Sequence, residues 1–158
     1  MSELHSATLL LVDDEENILK SLRRLLRHEP YDILTAGDAA QAMQLLDQQP
    51  IDLIVSDARM PGMDGASLLA EVQQRWPDCL RILLTGHADI GTMVKAINEG
   101  HIYRYISKPW DDDELRLTIR QALAFQHSER ERKRLEQLTY EQNQRLLELN
   151  TNLEQRVR

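Results

Sequence analysis

Five short apolar runs alternate with stretches in which apolar residues return every third or fourth position, and this alternation sets the tightest limit on the fold. The runs cover residues 8–12, 31–36, 53–56, 81–85 and 103–107, each of strand length. Between them come Ile18, Leu22, Leu25 and Leu26; Ala39, Ala42 and Leu46; Leu68, Leu69, Val72 and Trp76; and Met93, Val94 and Ile97. Leu115, Ile119 and Ala122 mark the inner face of a further helix. Pro30, Pro50 and Pro77 stop helices ahead of the next strand, and Gly100 ends the fourth. Repeated strand–helix units of this length predict an α/β fold, a doubly wound parallel sheet with helices on both faces. In such sheets the working residues gather at the carboxyl ends of the strands, beside the point where strand order reverses.

Those ends carry a consistent chemistry. Asp13 and Asp14 follow the first strand, Asp57 the third, Thr85 with Gly86 the fourth, and Lys108 with Pro109 the fifth. Three carboxylates converging on one rim resist ionisation together unless a cation lies among them. Hard oxygen ligands of this kind suit Mg²⁺, which keeps several waters and bridges to phosphate oxygens. A carboxylate nucleophile can take a phosphoryl group as an aspartyl-phosphate, with metal and lysine neutralising charge on the transferring oxygens. Each residue also has an ordinary reading. An acidic pair after a strand serves as a solvated turn, Glu15 and Glu16 favour a helix amino end, and Asp64-Gly65 makes a turn. Thr85 reads as a strand-end hydroxyl and Lys108 as a surface charge. It is their joint placement at successive strand ends that favours a site.

The composition narrows the setting. With 19 Lys and Arg against 26 Asp and Glu the formal charge is −7, which disfavours nonspecific nucleic-acid binding. No apolar run spans a bilayer, no basic segment precedes an apolar one at the amino end, and residues 1–6 read as a disordered leader. The single cysteine, Cys79, excludes an internal disulfide and reads as a structural thiol. The expected location is the cytoplasm. Neither His87 nor His101 has the spacing of a transition-metal site.

Four motifs in order give the chain a family resemblance. Leu10-Leu11-Val12-Asp13-Asp14-Glu15 resembles the acidic pocket of response-regulator receiver domains, and Asp57-Ala58-Arg59-Met60-Pro61-Gly62-Met63-Asp64-Gly65 resembles their phosphoacceptor loop. Leu84-Thr85-Gly86 and Tyr105-Ile106-Ser107-Lys108-Pro109 supply the other two. The likeness runs from about residue 8 to residue 125. It implies a flavodoxin-like receiver with strand order 2-1-3-4-5 and a C-terminal helical extension. Asp57 is then the phosphoacceptor. Asp14 and Asp57 bind Mg²⁺ through carboxylates, Arg59 through its backbone carbonyl and Asp13 mainly through water. Lys108 holds a phosphoryl oxygen, Thr85 swings in to hydrogen-bond another, and Tyr105 is the switch aromatic; an ordinary strand tyrosine remains the alternative. The Lys108–Pro109 peptide is cis in the family. Arg59 and His87 flank the path of an attacking water, with a plain surface imidazole as the other reading of His87. The implied partners are a sensor histidine kinase or phosphotransfer protein and an output domain.

After Pro109 there is neither Gly nor Pro, so the fifth helix is expected to continue past the domain, with a local break near His127-Ser128. The division expected is a receiver over residues 7–125 and a helical linker over 126–158. From Glu129 the composition turns to Glu, Arg, Gln, Leu and Asn, as in an exposed coiled coil. Leu146, Asn150, Leu153 and Val157 have heptad spacing, while Leu135, Leu138 and Gln142 follow another phase, which implies a stutter or a weak seam. A homodimer through this helix and a single solvated helix both remain open. The pattern has no stop signal before Arg158, as in a linker leading to an output domain. Residues 103–110 and the tail resemble regulators joined to cyclic-dinucleotide phosphodiesterases or other second-messenger modules. No recognition-helix domain follows, so direct DNA binding is not expected.

Three functions compete. A phosphorylation switch uses every rim residue. A haloacid-dehalogenase type enzyme also uses an Asp nucleophile, Mg²⁺ and Lys, but needs an acid two residues after the nucleophile, where this chain has Arg59. A phosphorylation-independent adaptor has no use for the intact set of Asp57, Thr85 and Lys108.

Overall fold

The computed structural model describes residues 7–86, 90–99 and 102–157. The expectations for Met1–Ser6, His87, Gly100 and His101 lie outside these, as do the side chains of Met93, Leu153 and Val157. The chain divides into two units, Met1–Ala124 and Phe125–Arg158.

The first unit alternates strand and helix throughout: β1 (Ala7–Val12), α1 (Glu16–Leu26), β2 (Tyr31–Ala36), α2 (Ala39–Gln48), β3 (Leu53–Asp57), α3 (Gly65–Arg75), β4 (Leu80–Thr85), α4 (Ile90–Asn98), β5 (Arg104–Ser107) and the start of α5 (Asp112–Val157). The strands form one parallel sheet in the order β2-β1-β3-β4-β5. The doubly wound parallel sheet expected from the strand–helix alternation is observed, in the strand order that the family resemblance implied.

The uninterrupted apolar strands follow from a sheet covered on both faces. Successive side chains of β1 point to opposite sides. Leu10 and Val12 join Ile54, Leu83 and the α2 and α3 residues Ala42, Leu46, Leu68 and Val72. Leu9 and Leu11 join Leu53, Val55, Ile82 and Leu84 under Leu22 and Leu26 of α1 and Leu115, Ile119 and Ala122 of α5. Each fully buried leucine contributes about 1.5–3 kcal/mol relative to exposure, as an upper bound. That stabilisation is concentrated in the central strands β1, β3 and β4, whereas most of β5 is exposed. The rim residues borne by the three central strands thus stand on the most firmly packed part of the sheet.

Side-chain caps fix where α2, α3 and α5 begin. Asp38 accepts from the Gln41 N–H and Asp64 from the Ser67 N–H, both at 2.8 Å, and Asp111 accepts from the Glu114 N–H at 2.9 Å. Cys79 is buried in the α2–α3 side of the core.

The second unit is helical. α5 continues through His127 and Ser128 without the break expected there. Serine is only a mild helix disfavourer, and charged pairs one turn apart follow at once. Arg132 donates to Glu129 at 2.9 Å and Glu136 at 2.6 Å, and Arg134 to Glu131 at 3.2 Å. Among the described residues no helix is long and apolar enough to cross a membrane.

Candidate functional site

Parallel register brings the rim together. Val12 pairs with Ala36 and Ser56, Asp57 with Leu84, and Thr85 with Ser107, so the strands that precede Asp13, Asp57, Thr85 and Lys108 end at one level. Backbone bonds carry the ladder past the strand ends. Asp13 N–H donates to Ala36 O at 3.1 Å, Ala58 N–H to Leu84 O at 2.9 Å, and Lys108 N–H to Thr85 O at 2.7 Å. The Lys108–Pro109 peptide is cis.

Three carboxylates meet here. One oxygen from each of Asp13, Asp14 and Asp57 lies within 4.8 Å of the others. Asp13 and Asp57 are buried and Asp14 is exposed, so the cluster opens to solvent on one side. The Lys108 Nζ stands 2.6 Å from Asp57 Oδ1 and 3.4 Å from Asp13 Oδ2. Burial pushes the Asp13 carboxyl up to about 6; the Glu15 N–H, which donates to it at 2.9 Å, opposes the rise, the Asp57 charge adds to it, and Lys108 counters it. Burial pulls the Lys108 ammonium down, but its bond to Asp57 and the charges of Asp13 and Asp57 outweigh that and raise it.

These groups therefore form one electrostatic unit with two jobs available. The cluster of hard oxygens suits a hard divalent cation. The Asp57 carboxylate, with an ammonium already against one oxygen, suits nucleophilic attack on an electrophile whose own oxygens are anionic. Thr85 is buried at the tip of β4, level with Ser107 beside Lys108. Arg59 is exposed two residues past Asp57. Tyr105 is 44% exposed on β5, while its neighbour Ile106 points into the core.

The part played by one residue escaped the sequence reading, which placed Gly65 at the end of the phosphoacceptor-loop motif and otherwise took Asp64-Gly65 as a turn. Gly65 is the first residue of α3, and a Cβ there would sit 2.0 Å from the Asp57 carbonyl oxygen and 3.0 Å from Ala58 Cα. Its N–H donates to Ala58 O at 3.0 Å. The helix thus seats directly on the backbone of the central aspartate. Glycine is a poor helix former, so its place immediately after a capping Asp was the available signal of a close approach.

A five-stranded parallel sheet in this order, with an acidic cluster and a lysine at its carboxyl rim, defines a phosphoacceptor-type α/β domain. The chain matches the response regulator receiver domain family over residues 9–120, and it belongs to that family. A similar solved structure is the signal receiver domain of an HD domain-containing protein from Pseudomonas fluorescens Pf-5. It is 54% identical with a TM-score of 0.78, over 82% of this chain and 95% of that one. The hydrogenase transcriptional regulatory protein HoxA of Cupriavidus necator is 44% identical over 120 residues, 76% of this chain and 25% of HoxA. The transcriptional regulatory protein GlrR of Escherichia coli strain K12 is 40% identical over 117 residues, 74% of this chain and 26% of GlrR. The chain spans about a quarter of the length of the curated relatives it matches.

Proposed function

We propose that Asp57 is the phosphoacceptor of this receiver and that phosphorylation there is relayed through α5 to an output region. The observation that carries this reading is the Lys108 Nζ at 2.6 Å from Asp57 Oδ1, on a rim shared with Asp13 and Asp14. In the transfer, an Asp57 carboxylate oxygen attacks the phosphorus of a phosphohistidine on a sensor kinase or phosphotransfer protein. An O–P bond forms, the P–N bond breaks, and the imidazole leaves with the electron pair. Lys108 then exchanges its contact with the carboxylate for one with a phosphoryl oxygen, as a compact charge on a flexible stem. Thr85 donates to a second phosphoryl oxygen, and Tyr105 turns inward from its exposed position in the space the hydroxyl vacates.

The cluster fits Mg²⁺. Asp13, Asp14 and Asp57 would hold it with the backbone carbonyl of Arg59, and when bound it supplies charge neutralisation for the transferring oxygens. A dehalogenase-type hydrolase lacks support because Arg59 stands where its acid is needed. The chain therefore works as a signalling domain and not as a turnover enzyme, in the cytoplasm where kinase and phosphotransfer domains reach it.

The functional division follows the helix: a receiver over 7–125 and a linker over 126–158 that pairs with a second copy. The receiver of the HD domain-containing protein shares more identity with this chain than HoxA does. This favours an output of the HD-domain kind over transcriptional control.

The test is phosphorylation with a small phosphodonor and Mg²⁺. One acid-stable, base-labile phosphoryl group per chain is expected, absent from Asp57→Asn. Labelling of Asp57→Asn at wild-type rate and stoichiometry refutes the assignment.

A further inference from the structure

The described part of the tail carries more exposed leucine than a solvated helix needs. Leu135, Leu138, Leu146 and Leu149 are 57, 45, 58 and 56% exposed, and together with Gln142 they are spaced 3, 4, 4 and 3 residues apart. In the sequence Leu153 and Val157 add 4 and 4, completing two repeats of eleven residues from 135 to 157. Eleven residues fill three turns at about 3.67 per turn, close to the 3.6 of a straight α-helix. All seven positions therefore fall in one stripe roughly 100° wide. A heptad seam through Leu146, Asn150, Leu153 and Val157 starts only halfway along and puts an amide where the eleven-residue stripe puts Leu149.

From this spacing we infer that the tail pairs in parallel and in register with a second copy of this chain, along the eleven-residue stripe and not along the heptad seam. The inference rests on the reading of the tail as a pairing element and specifies its surface.

Three features select a second copy as the occupant. Gln142 is the one polar member of the stripe, and in a parallel, in-register pair it meets its own copy, so that each amide donates to and accepts from the other. An antiparallel pair centred on the stripe, at Leu146, sets Gln142 level with Asn150 at the stripe's edge, so the pairing of Gln142 with its own copy is lost. Charge also permits it. Residues 125–158 hold seven Lys and Arg and six Glu, a balance of +1, whereas the remaining 12 Lys and Arg and 20 Asp and Glu give −8 and repel. Area contributes as well. The four described leucines, each offering roughly 100 Å² of apolar surface, supply about half of the roughly 800 Å² per partner of a standard interface.

Sedimentation equilibrium of the full chain tests this with Leu149→Ala, Asn150→Ala and Leu147→Ala, helical content being checked by circular dichroism. Leu147, 60% exposed, lies about 120° from Leu135 around the helix and off the stripe. Leu149→Ala is expected to raise the dimer dissociation constant by about thirtyfold or more, and the other two by less than about threefold. A dimer that responds to Asn150→Ala and not to Leu149→Ala overturns the stripe while leaving tail pairing intact. A wild-type chain that stays monomeric at every concentration overturns both. Asp57 labelling of each variant at the wild-type rate keeps either failure separate from the phosphoacceptor reading. A second measurement does not depend on stability. Under mild oxidant, Gln142→Cys and Leu149→Cys should each cross-link to their own copies and Gln144→Cys, on the opposite face, should not. Cross-linking through Gln144→Cys alone refutes the inference.

Discussion

Replacing Gly65 with alanine should damage both the fold and the phosphoacceptor, because the added methyl has no room on the backbone of β3. The new Cβ would lie 2.0 Å from Asp57 O, where real Cβ contacts essentially never come closer than 3.0 Å, so a gap of at least 1.0 Å must open. The β3 side cannot yield cheaply, since Ala58 is tied to Leu84 at 2.9 Å. If α3 retreats instead, the Gly65–Ala58 hydrogen bond at 3.0 Å is lost. Overpacking costs about 1–3 kcal/mol and a lost hydrogen bond about 1 kcal/mol. Alanine's helix preference returns at most about 1 kcal/mol. The net is a loss of about 2 kcal/mol, or roughly 5–10 °C in Tm for a domain of this size. Misplacement of a reacting group by about 1 Å can cost up to about a hundredfold in rate, so the initial rate of phosphorylation by a small phosphodonor should fall at least about tenfold. Gly91, inside α4 with nothing within 4 Å of its Cβ position, is the control. Gly91→Ala should stabilise by up to about 1 kcal/mol. Calorimetry and initial-rate labelling of both variants decide the matter. A Gly65→Ala protein that melts with the wild type and labels at its rate refutes the argument.

The remaining expectations concern charge. Lys108→Ala should leave Mg²⁺ titration, followed by fluorescence of Trp110 two residues away, within about threefold of wild type, yet remove any change in assembly or output that phosphorylation brings; an equal change in mutant and wild type denies Lys108 that role. Asp13→Asn removes a buried carboxylate that burial already disfavours, so it should raise the unfolding midpoint at pH 7 in chelator by the equivalent of about 1–3 kcal/mol; a lowered midpoint counts against the electrostatic account. Arg120 forms a two-pronged ion pair with Glu29 at 2.9 and 2.8 Å, and this bond holds the Glu29 carboxyl below its ordinary 4.5. A depressed folded-state value means the pair's contribution is full above pH 4.5 and disappears as pH falls through the lowered value. The midpoint gap between wild type and Arg120→Ala should accordingly be constant near neutrality and close in acid; a gap that widens in acid reverses the sign and refutes it.

Much of this molecule was legible because two periodicities rarely conflict in it. Leu9 to Val12 is a continuous apolar run, and only a strand buried on both faces accounts for one so short. Once β1 and β3 are parallel neighbours, Asp13 and Asp57 must emerge on the same side, since both follow their strands in the same direction. That step needs no knowledge of side-chain positions. Strand ends, by contrast, drifted by a residue. Asp57 was expected after the third strand and is its last member, because Asp57 still pairs with Leu84. The drift does not disturb the site, which depends on which end of a strand a residue occupies.

Contacts between segments distant in the chain were not legible in the same way. The one local mark of Gly65, a glycine directly after a capping Asp, does not say what α3 rests on; the constraint lies in a backbone oxygen eight residues away. The helix through His127-Ser128 was misjudged for a related reason. A local break was expected at these two residues, whereas the pairs from Glu129 to Arg132 and from Arg132 to Glu136 lie just beyond them and hold the helix there. The exposed leucines of the tail raise the opposite problem. Period alone admits a seven-residue and an eleven-residue seam, and both contain Leu146, Leu153 and Val157. Over residues 146–157 they part at a single step, Leu149 against Asn150. A buried amide in that seam would fix register at a cost in stability, whereas a leucine there leaves register to Gln142. The choice therefore sets which residue a phosphorylation-driven rotation of the helices would have to unseat, and it gives the two seams opposite responses to the same pair of substitutions.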